Sequence, residues 1–161
     1  MKVQIRSGGS AEDVNAIARI NGDVFEPEYG MESSFASDMA VQLAELRRSG
    51  WPRDGEGCWI AELDGRAVGA VTLRNLGHGL ARLGHLALRP EARGTGAGRR
   101  LFDTVVDAAR AAGYERLELM TFSDLGAARE IYRRGGFELM GSDQVVRWGR
   151  ELHWERWELA L

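Results

Sequence analysis

Residues 86–102 read Leu-Ala-Leu-Arg-Pro-Glu-Ala-Arg-Gly-Thr-Gly-Ala-Gly-Arg-Arg-Leu-Phe, and this stretch decides the fold. Its apolar start predicts the end of a buried strand, and Gly94, Gly96 and Gly98 predict a tight turn into a helix. Glycines at alternate positions allow a backbone with positive φ, in which successive N–H groups converge on one point. The helix adds its own unpaired N–H groups and the positive end of its dipole. The stretch therefore predicts a binding site for an anion such as a pyrophosphate.

The spacing of the glycines separates this turn from two other nucleotide-binding loops. A P-loop requires Gly-x-x-x-x-Gly-Lys-Ser/Thr, and the chain contains no such run. The dinucleotide fingerprint Gly-x-Gly-x-x-Gly would need a glycine where Arg99 or Leu101 stands. The pattern present is Arg-x-x-Gly-x-Gly, from Arg93 to Gly98. A dinucleotide-binding domain stays open as the weaker alternative, with Glu118 as its ribose-binding acid.

Length and composition fit one globular domain. The chain has 161 residues, of which 44% are hydrophobic, enough for a sizeable core. A net charge of −3 argues against broad electrostatic binding of nucleic acid or of an anionic membrane. Cys58 is the only cysteine, which excludes an internal disulfide and a multi-cysteine zinc site. We expect residues 1–161 to form a single domain without a metal site.

The N-terminal residues and the hydropathy pattern predict the location of the protein. Residues 1–6, Met-Lys-Val-Gln-Ile-Arg, lack the apolar core of a signal peptide. No long uncharged apolar run predicts a membrane span. We therefore expect a cytoplasmic protein with neither a membrane nor a nucleic-acid partner.

The first third of the chain predicts a short strand and two helices. Ser10–Asp13 is a Ser-x-x-Asp helix start, and apolar residues at helical spacing follow it. Pro27 and Gly30 predict an interruption of this helix. A second helix is predicted over residues 35–46. The acidic and aromatic segment 25–31 is expected to join the two.

The middle of the chain predicts a β-hairpin and then the strand that enters the glycine turn. Two apolar runs, residues 58–63 and 66–73, flank Asp64-Gly65, a pair suited to a two-residue type I′ turn. A looser loop is predicted at residues 77–79. Gly84, inside the following strand, predicts a bulge or a close approach of two backbones.

The last third predicts further alternation of strands and helices. Beyond the helix that follows the glycine turn, we expect a strand at Leu117–Leu119 and a helix from about Leu125 to Arg134. Two more strands are expected, at residues 137–139 and 154–159. The strand-helix-strand order around residues 83–121 implies a right-handed parallel crossover in an otherwise antiparallel sheet.

Two motifs and the order of elements resemble the GNAT family of N-acetyltransferases. The segment Arg93–Gly98 is similar to the family's acetyl-CoA-binding signature, and Ala127–Phe137 is similar to its Ala-x-x-x-Tyr-x-x-x-Gly-Phe segment. The resemblance covers essentially the whole chain. It implies an α/β fold ordered strand, two helices, three strands, helix, strand, helix, two strands. The sheet would be mostly antiparallel, with the fourth and fifth strands parallel.

Within the family, a subgroup carries a MarR-type DNA-binding domain before the acetyltransferase half. Residues 28–30 with Phe35, residues 58–62 and residues 157–159 are similar to that half. The DNA-binding half is absent from this sequence, so no regulatory role is expected. One position departs from the wider family, because Leu125 stands seven residues before the tyrosine where many members have a CoA-contacting asparagine.

The resemblance implies transfer of acetyl from acetyl-CoA to an amine of a small molecule or peptide, by direct attack on the thioester. The backbone of Leu86 and Leu88 matches the strand that donates hydrogen bonds to the oxyanion. Tyr132 matches the general acid that protonates the departing thiolate, and a tyrosine pKa of roughly 10 suits that role. The implied cofactor-binding residues are Leu86, Ala87, Leu88, Arg93, Gly94, Thr95, Gly96, Ala97, Gly98 and Arg99.

The general base stays open at the level of the sequence. His85 lies beside the expected thioester position and titrates in a useful range, although a strand histidine is also commonly a packing residue. Glu28 and Glu26 lie in the segment that lines the acceptor pocket in the family, or they are solvated surface carboxylates. A chain of water molecules could replace a single base. The acidic segment from Glu26 to Glu32 favours a cationic acceptor.

The other open alternatives concern function and assembly. A catalytically silent acyl-CoA sensor or interaction module of the same fold would bind CoA without turnover, and Tyr132 would then be a core aromatic residue. A homodimer through the C-terminal strands is expected by analogy alone. Four tryptophans are expected to pack in the core or on the sheet rather than to stack on a ligand: Trp59, Trp148, Trp154 and Trp157.

Overall fold

A single seven-stranded sheet with helices on both faces forms the protein, in a computed structural model that describes residues 2–161. The elements are β1 (Gln4–Ser7), α1 (Ala11–Tyr29), α2 (Ser34–Arg48), β2 (Gly57–Leu63), β3 (Arg66–Gly77), β4 (Leu80–Leu88), α3 (Ala97–Ala111), β5 (Arg116–Phe122), α4 (Gly126–Arg134), β6 (Glu138–Arg147) and β7 (Arg150–Ala160). The strands lie in the order β1-β2-β3-β4-β5-β7-β6, and the β4/β5 pair alone is parallel among the described strands. The predicted fold is confirmed.

The parallel contact between β4 and β5 is short, and this creates the cleft of the molecule. Pairing runs only from Leu80 with Arg116 to Leu83 with Leu119. The next part of β4 contains a bulge. Between two register pairs, Ala70 with Ala87 and Thr72 with Gly84, β3 advances by two residues and β4 by three. His85 lies in this bulge with a positive φ of 56°. The bulge predicted from Gly84 is confirmed, and beyond it β4 and β5 separate.

Helix α1 begins at the predicted capping motif, where the Ser10 side chain accepts from the third residue of the helix. The predicted interruption at Pro27 is wrong, since the helix continues to Tyr29 and ends at Gly30, which has a φ of 68°. Pro27 removes one backbone hydrogen bond, but the last turn of the helix packs on Phe122, whose ring lies 6.0 Å from that of Phe25 and 5.7 Å from that of Tyr29. Here the Phe25 ring is buried and lies 5.6 Å from the Tyr29 ring.

Two tight turns connect the central strands. Asp64-Gly65 have φ values of 52° and 77°, so the predicted two-residue turn is confirmed. The looser loop predicted at residues 77–79 is wrong. His78-Gly79 also have positive φ values, 56° and 77°, and Gly77 pairs directly with Leu80. Glycine spacing alone did not distinguish a tight turn from a loop.

The C-terminal strands form a hairpin much longer than the sequence predicts. β6 and β7 pair along their length and meet at a turn over Trp148-Gly149. Most of β6 is exposed, so it lacks the alternation that identifies a half-buried strand. The hairpin tip reaches α2: Trp148 Nε1 donates to Asp38 at 2.9 Å, and its ring lies 4.8 Å from that of Phe35. The tip thereby forms one wall of the cleft.

None of the helices within residues 2–161 is long and apolar enough to cross a membrane.

Candidate functional site

The glycine turn has the positive-φ backbone that its sequence predicts. Gly94 and Gly96 have φ values of 75° and 81°, and α3 begins directly after Gly96. Thr95 organises the turn, since its Oγ1 donates to Ala92 O and accepts from Ala97 N at 3.3 Å. A β-carbon at either glycine would meet no atom within 4 Å, so glycine is needed here for its φ and not for space.

Several amides of this turn point at no protein acceptor. Within residues 2–161, no hydrogen bond is donated by the backbone N–H groups of Gly94, Thr95, Gly96, Gly98 and Arg99. The last two lie in the first turn of α3, where amides have no partner within the helix and the dipole is positive. Free amides in a positive-φ turn at a helix N-terminus are suited to binding phosphate groups.

Close packing fixes the turn between the strand and two helices. A β-carbon at Gly98 would lie 3.1 Å from Leu88 Cδ1 and 3.6 Å from Ile131 Cδ1. α3 therefore rests directly on the end of β4 and beside α4. A larger residue at Gly98 would therefore require the Leu88 side chain to shift.

Arg93 is tied to α1 by a bidentate ion pair. Its NH1 and NH2 atoms lie 2.6 and 2.8 Å from the two carboxylate oxygens of Glu28. NH2 also donates to Leu88 O at 3.2 Å. The glutamate raises the pKa of the Arg93 guanidinium, which stays charged. Arg99 pairs with Asp103 at 3.0 Å on the exposed side of α3.

The end of β4 has two amides that point away from β3. Arg89 N donates to Val68 O of β3 at 2.7 Å. Successive amides of an extended strand point in opposite directions, so the N–H groups of Leu88 and Leu86 point away from β3. That side is open because β5 has already separated from β4.

The cleft between β4 and β5 has a volume of about 400 Å³. It brings together three residues singled out from the sequence: His85, Leu86 and Tyr132. Tyr132 is 4% exposed, and burial raises the pKa of its hydroxyl, which therefore stays protonated. That hydroxyl has no hydrogen-bond partner in the part of the chain described.

His85 is held in position by two contacts. Its Nδ1 lies 2.9 Å from Thr72 Oγ1, and its backbone oxygen accepts from Asn21 Nδ2 at 3.2 Å. Burial, together with Arg74 and Arg82, lowers the pKa of His85 to about 4. The imidazole is therefore neutral at pH 7 and accepts a proton weakly.

The two glutamates of the predicted acceptor segment do not line the cleft. Glu26 accepts from Ala36 N at 2.8 Å and caps the start of α2. Glu28 is held by Arg93. Both carboxylates are engaged by neighbouring elements, so the cationic acceptor expected from this acidic segment has no support in the cleft.

Sequence reasoning missed several residues of the cleft. Asn21 holds the bulge from α1, and the buried Thr121 hydroxyl has no hydrogen-bond partner within residues 2–161. Trp148 and Trp154 pack as predicted but also line the cleft. Three arginines, Arg74, Arg82 and Arg147, line it as well. No local motif identifies any of these residues, because strand register and the long hairpin bring them together.

The glycine turn follows the end of β4, and the separation of β4 from β5 opens the cleft that contains Tyr132. Residues 15–137 match the acetyltransferase (GNAT) family, and the chain therefore belongs to this family of acyltransferases.

Individual relatives agree with this assignment. N-acetyltransferase 8 of Mus musculus is 32% identical over 110 residues, which make up 65% of this chain and 48% of that protein. Ribosomal-protein-alanine N-acetyltransferase from Brucella melitensis has a similar structure, with a TM-score of 0.79 at 23% identity, covering 98% of this chain and 99% of that one. An acetyltransferase from Salmonella typhimurium, solved with its cofactor acetyl-CoA, gives 0.78 at 19% identity, covering 98% and 93%. The chain spans about half the length of the curated relatives it matches.

Proposed function

We propose that the protein transfers acetyl from acetyl-CoA to an amine of a small molecule or peptide, by direct attack of the amine on the thioester. The observation that carries this proposal is the set of five free amides between Gly94 and Arg99, all but that of Ala97, which follow the end of β4 beside a cleft that contains Tyr132. Free amides around a positive helix end suit the CoA pyrophosphate. The family match over residues 15–137 supports the same donor.

The donor side would be held by the turn and the strand end. The amides of the turn would bind the pyrophosphate, and Arg93 and Arg99, each paired with a carboxylate, would offer it their remaining N–H donors. The rest of the cofactor runs along the open edge of β4, past Leu86, Ala87 and Leu88. No protein strand competes for that edge beyond Leu83 in the described residues.

The chemistry would need an oxyanion site and a general acid. In this proposal the N–H groups of Leu86 and Leu88, which point away from β3, donate to the oxygen of the tetrahedral intermediate. Tyr132 then protonates the departing thiolate. Its raised pKa keeps the hydroxyl protonated and available at neutral pH.

A water route suits the proton of the amine better than a single base. The lowered pKa of His85 makes it a weak proton acceptor, and both carboxylate oxygens of Glu28 contact Arg93. The arginines of the cleft also disfavour an ammonium ion there, so the acceptor loses its proton to solvent readily. His85 and Glu28 thus position the strand bulge and the glycine turn.

Calorimetric titration with acetyl-CoA, followed by CoA release with a panel of amines, tests the proposal. We expect acetyl-CoA binding and turnover with at least one class of amine. Absence of acetyl-CoA binding would overturn it. Binding without any turnover, and without an effect of Tyr132→Phe on ligand affinity, would indicate the silent acyl-CoA-binding module instead.

The finer expectations stay part of the proposal. We infer a single domain over residues 1–161, a cytoplasmic location, and a relationship to the acetyltransferase half of MarR-type fusions. A homodimer through the C-terminal strands is supported by the exposed edge strand β6, where the side chains of Leu139, Met140 and Val146 are 47%, 51% and 78% exposed. Light scattering after size-exclusion chromatography tests the dimer.

A further inference from the structure

The acceptor side of the cleft is strongly cationic. Arg74, Arg82 and Arg147 line the cavity of about 400 Å³, and no aspartate or glutamate lines it among the described residues. A second cavity of about 450 Å³ adjoins the first and shares Arg74 and Arg82 with it. Glu45 is the one carboxylate that lines this second cavity in the described part of the chain. Arg74 and Arg82 are half-buried and Arg147 is exposed, so a cation without a matching anion is most costly at Arg74.

Two of these arginines lie side by side on the sheet. Arg74 of β3 and Arg82 of β4 are direct register partners. Like charges at opposed positions of an antiparallel pair destabilise it. Glu118 offsets one of them, since Arg82 Nε and NH2 donate to its Oε2 at 2.9 and 2.5 Å. Arg74 has no carboxylate partner within residues 2–161.

The third arginine reaches the cleft from the other side. Arg147 lies at the tip of the β6–β7 hairpin, with its guanidinium carbon 4.3 Å from the centre of the Trp148 ring. It forms no ion pair with any described carboxylate. Stacking on an aromatic ring holds the group and leaves its donors open. Two guanidinium groups from separate elements thus face one cavity without an anion.

The cofactor phosphates do not account for this charge. The glycine turn follows the end of β4, whereas Arg74 and Arg82 precede the bulge at His85. The turn has its own free amides and its own arginines. The cationic cluster therefore belongs to the acceptor half of the site.

The remaining lining sets the size and polarity of the acceptor. Phe25, Phe35, Met39, Trp148 and Trp154 form apolar walls around the arginines. A cavity of this volume with apolar walls and a few polar groups fits a small molecule. Arg74 and Arg82 already place positive charge near His85 and lower its pKa. They likewise disfavour a positively charged ligand group at this place. An acceptor with only cationic groups is thus poorly matched.

We propose that the acetyl acceptor is a small amine that also carries a carboxylate, with Arg74 and Arg147 binding the carboxylate and Arg82 supporting Arg74. This proposal rests on the proposed acetyltransferase function and names its substrate class. The amine would face Leu86 at the bulge, where the thioester lies. A guanidinium matches a carboxylate with two parallel hydrogen bonds, which also orients the amine.

The test uses amino acids in matched sets of three: the amino acid, its carboxamide and the amine left by decarboxylation. Aromatic, aliphatic and acidic side chains are each represented. We expect kcat/KM for the amino acid to exceed that of both partners by about tenfold or more, the range of a charge-assisted hydrogen bond. The amine of the carboxamide is less basic than that of the amino acid, so more of it is unprotonated and able to attack at neutral pH. A preference for the amino acid would therefore have to overcome this advantage of the carboxamide.

Arg74→Gln and Arg147→Gln locate the effect. Neither side chain has an ion pair to lose, so both variants should fold. Each is expected to lower kcat/KM for the amino acid about tenfold and not to lower it for the decarboxylated amine, since removal of an arginine also removes a charge that disfavours an ammonium ion. Arg110→Gln is the matched control, since it removes the same charge from an exposed position on α3. It should change neither substrate.

The outcomes separate this inference from the proposed function. Equal or better turnover of the carboxamide and the decarboxylated amine overturns the carboxylate proposal while acetyl transfer stands. Failure to bind acetyl-CoA overturns both. If acetyl-CoA binds and no amine in the panel reacts, calorimetry with the amino acids decides. Binding that Arg74→Gln weakens and Arg110→Gln does not supports the inference, and absence of carboxylate binding overturns it.

Discussion

At the scale of single residues, Tyr132 has the sharpest test. Its ring packs against Phe102, Phe137 and Trp157, whereas its hydroxyl contacts no described partner. Tyr132→Phe should therefore keep the fold and lower kcat about 100-fold or more, the usual contribution of a positioned acid. Steady-state CoA release and thermal melts check this. An unchanged kcat would make the residue a core aromatic side chain only.

His85 should make stability depend on pH. Its folded pKa of about 4 lies below the ordinary value of 6.5, so the unfolded chain binds a proton that the folded protein excludes between these values. Its contribution is present above pH 6.5 and is lost as the pH falls towards 4, by about 3 kcal/mol at most. His85→Asn keeps a residue that tolerates positive φ.

Melting temperatures measured from pH 7 to pH 4 test the histidine. The loss of stability over this range should be smaller in the asparagine variant than in the parent protein. Identical curves would show that His85 titrates normally in the folded protein. His85 would then accept a proton near neutral pH, and its pKa would no longer favour a water route.

At the scale of elements, the glycine turn allows a matched pair of variants. Gly96 and Gly113 have φ values of 81° and 85°, and a β-carbon at either position meets nothing within 4 Å. Alanine at each should therefore cost a similar stability, about 1 kcal/mol. Gly96→Ala alone should weaken acetyl-CoA binding, by about tenfold, because it displaces amides that contact phosphate. Calorimetry and chemical denaturation separate the two effects.

Two other outcomes for these glycine variants would contradict the prediction. Equal acetyl-CoA affinity in Gly96→Ala and Gly113→Ala would remove the turn from the binding site. Weaker binding in both would indicate a general loss of stability rather than a local change of the turn.

Some elements were predictable from the sequence, and others were not. Local signals identified the glycine turn, the Asp64-Gly65 hairpin and the start of α1, because φ requirements and capping depend on few neighbours. The length of β6 was missed because an exposed strand has no hydrophobic period. The arginine cluster was missed because Arg74 and Arg82 meet only through strand register, and Arg147 only through the long hairpin.

At the scale of the whole molecule, the sheet has two parts that meet at the short β4/β5 contact. Only four residue pairs join β4 to β5, from Leu80 with Arg116 to Leu83 with Leu119. A ligand in the cleft would contact both parts and stabilise the native state. Acetyl-CoA at about 100 times its Kd should raise Tm by about 5–10 °C.

Hydrogen exchange gives this prediction a spatial check. Added acetyl-CoA should slow exchange of the amides at Leu86 and Leu88 and of the glycine turn. Amides of β1 and β2, which lie at the far edge of the sheet, should change only through global stability. Uniform slowing across the chain would place the ligand elsewhere.

The Glu28–Arg93 pair affects the conformational entropy that would be lost when a cofactor binds. Glu28 holds the end of the guanidinium through NH1 and NH2, and the Nε–H edge carries no bond to the described residues. Most of the rotamer entropy of this long side chain is therefore lost during folding and not when the cofactor arrives. In the proposed acetyl-CoA site the arginine would be a preorganised binding group, and α1, through Glu28, sets its orientation.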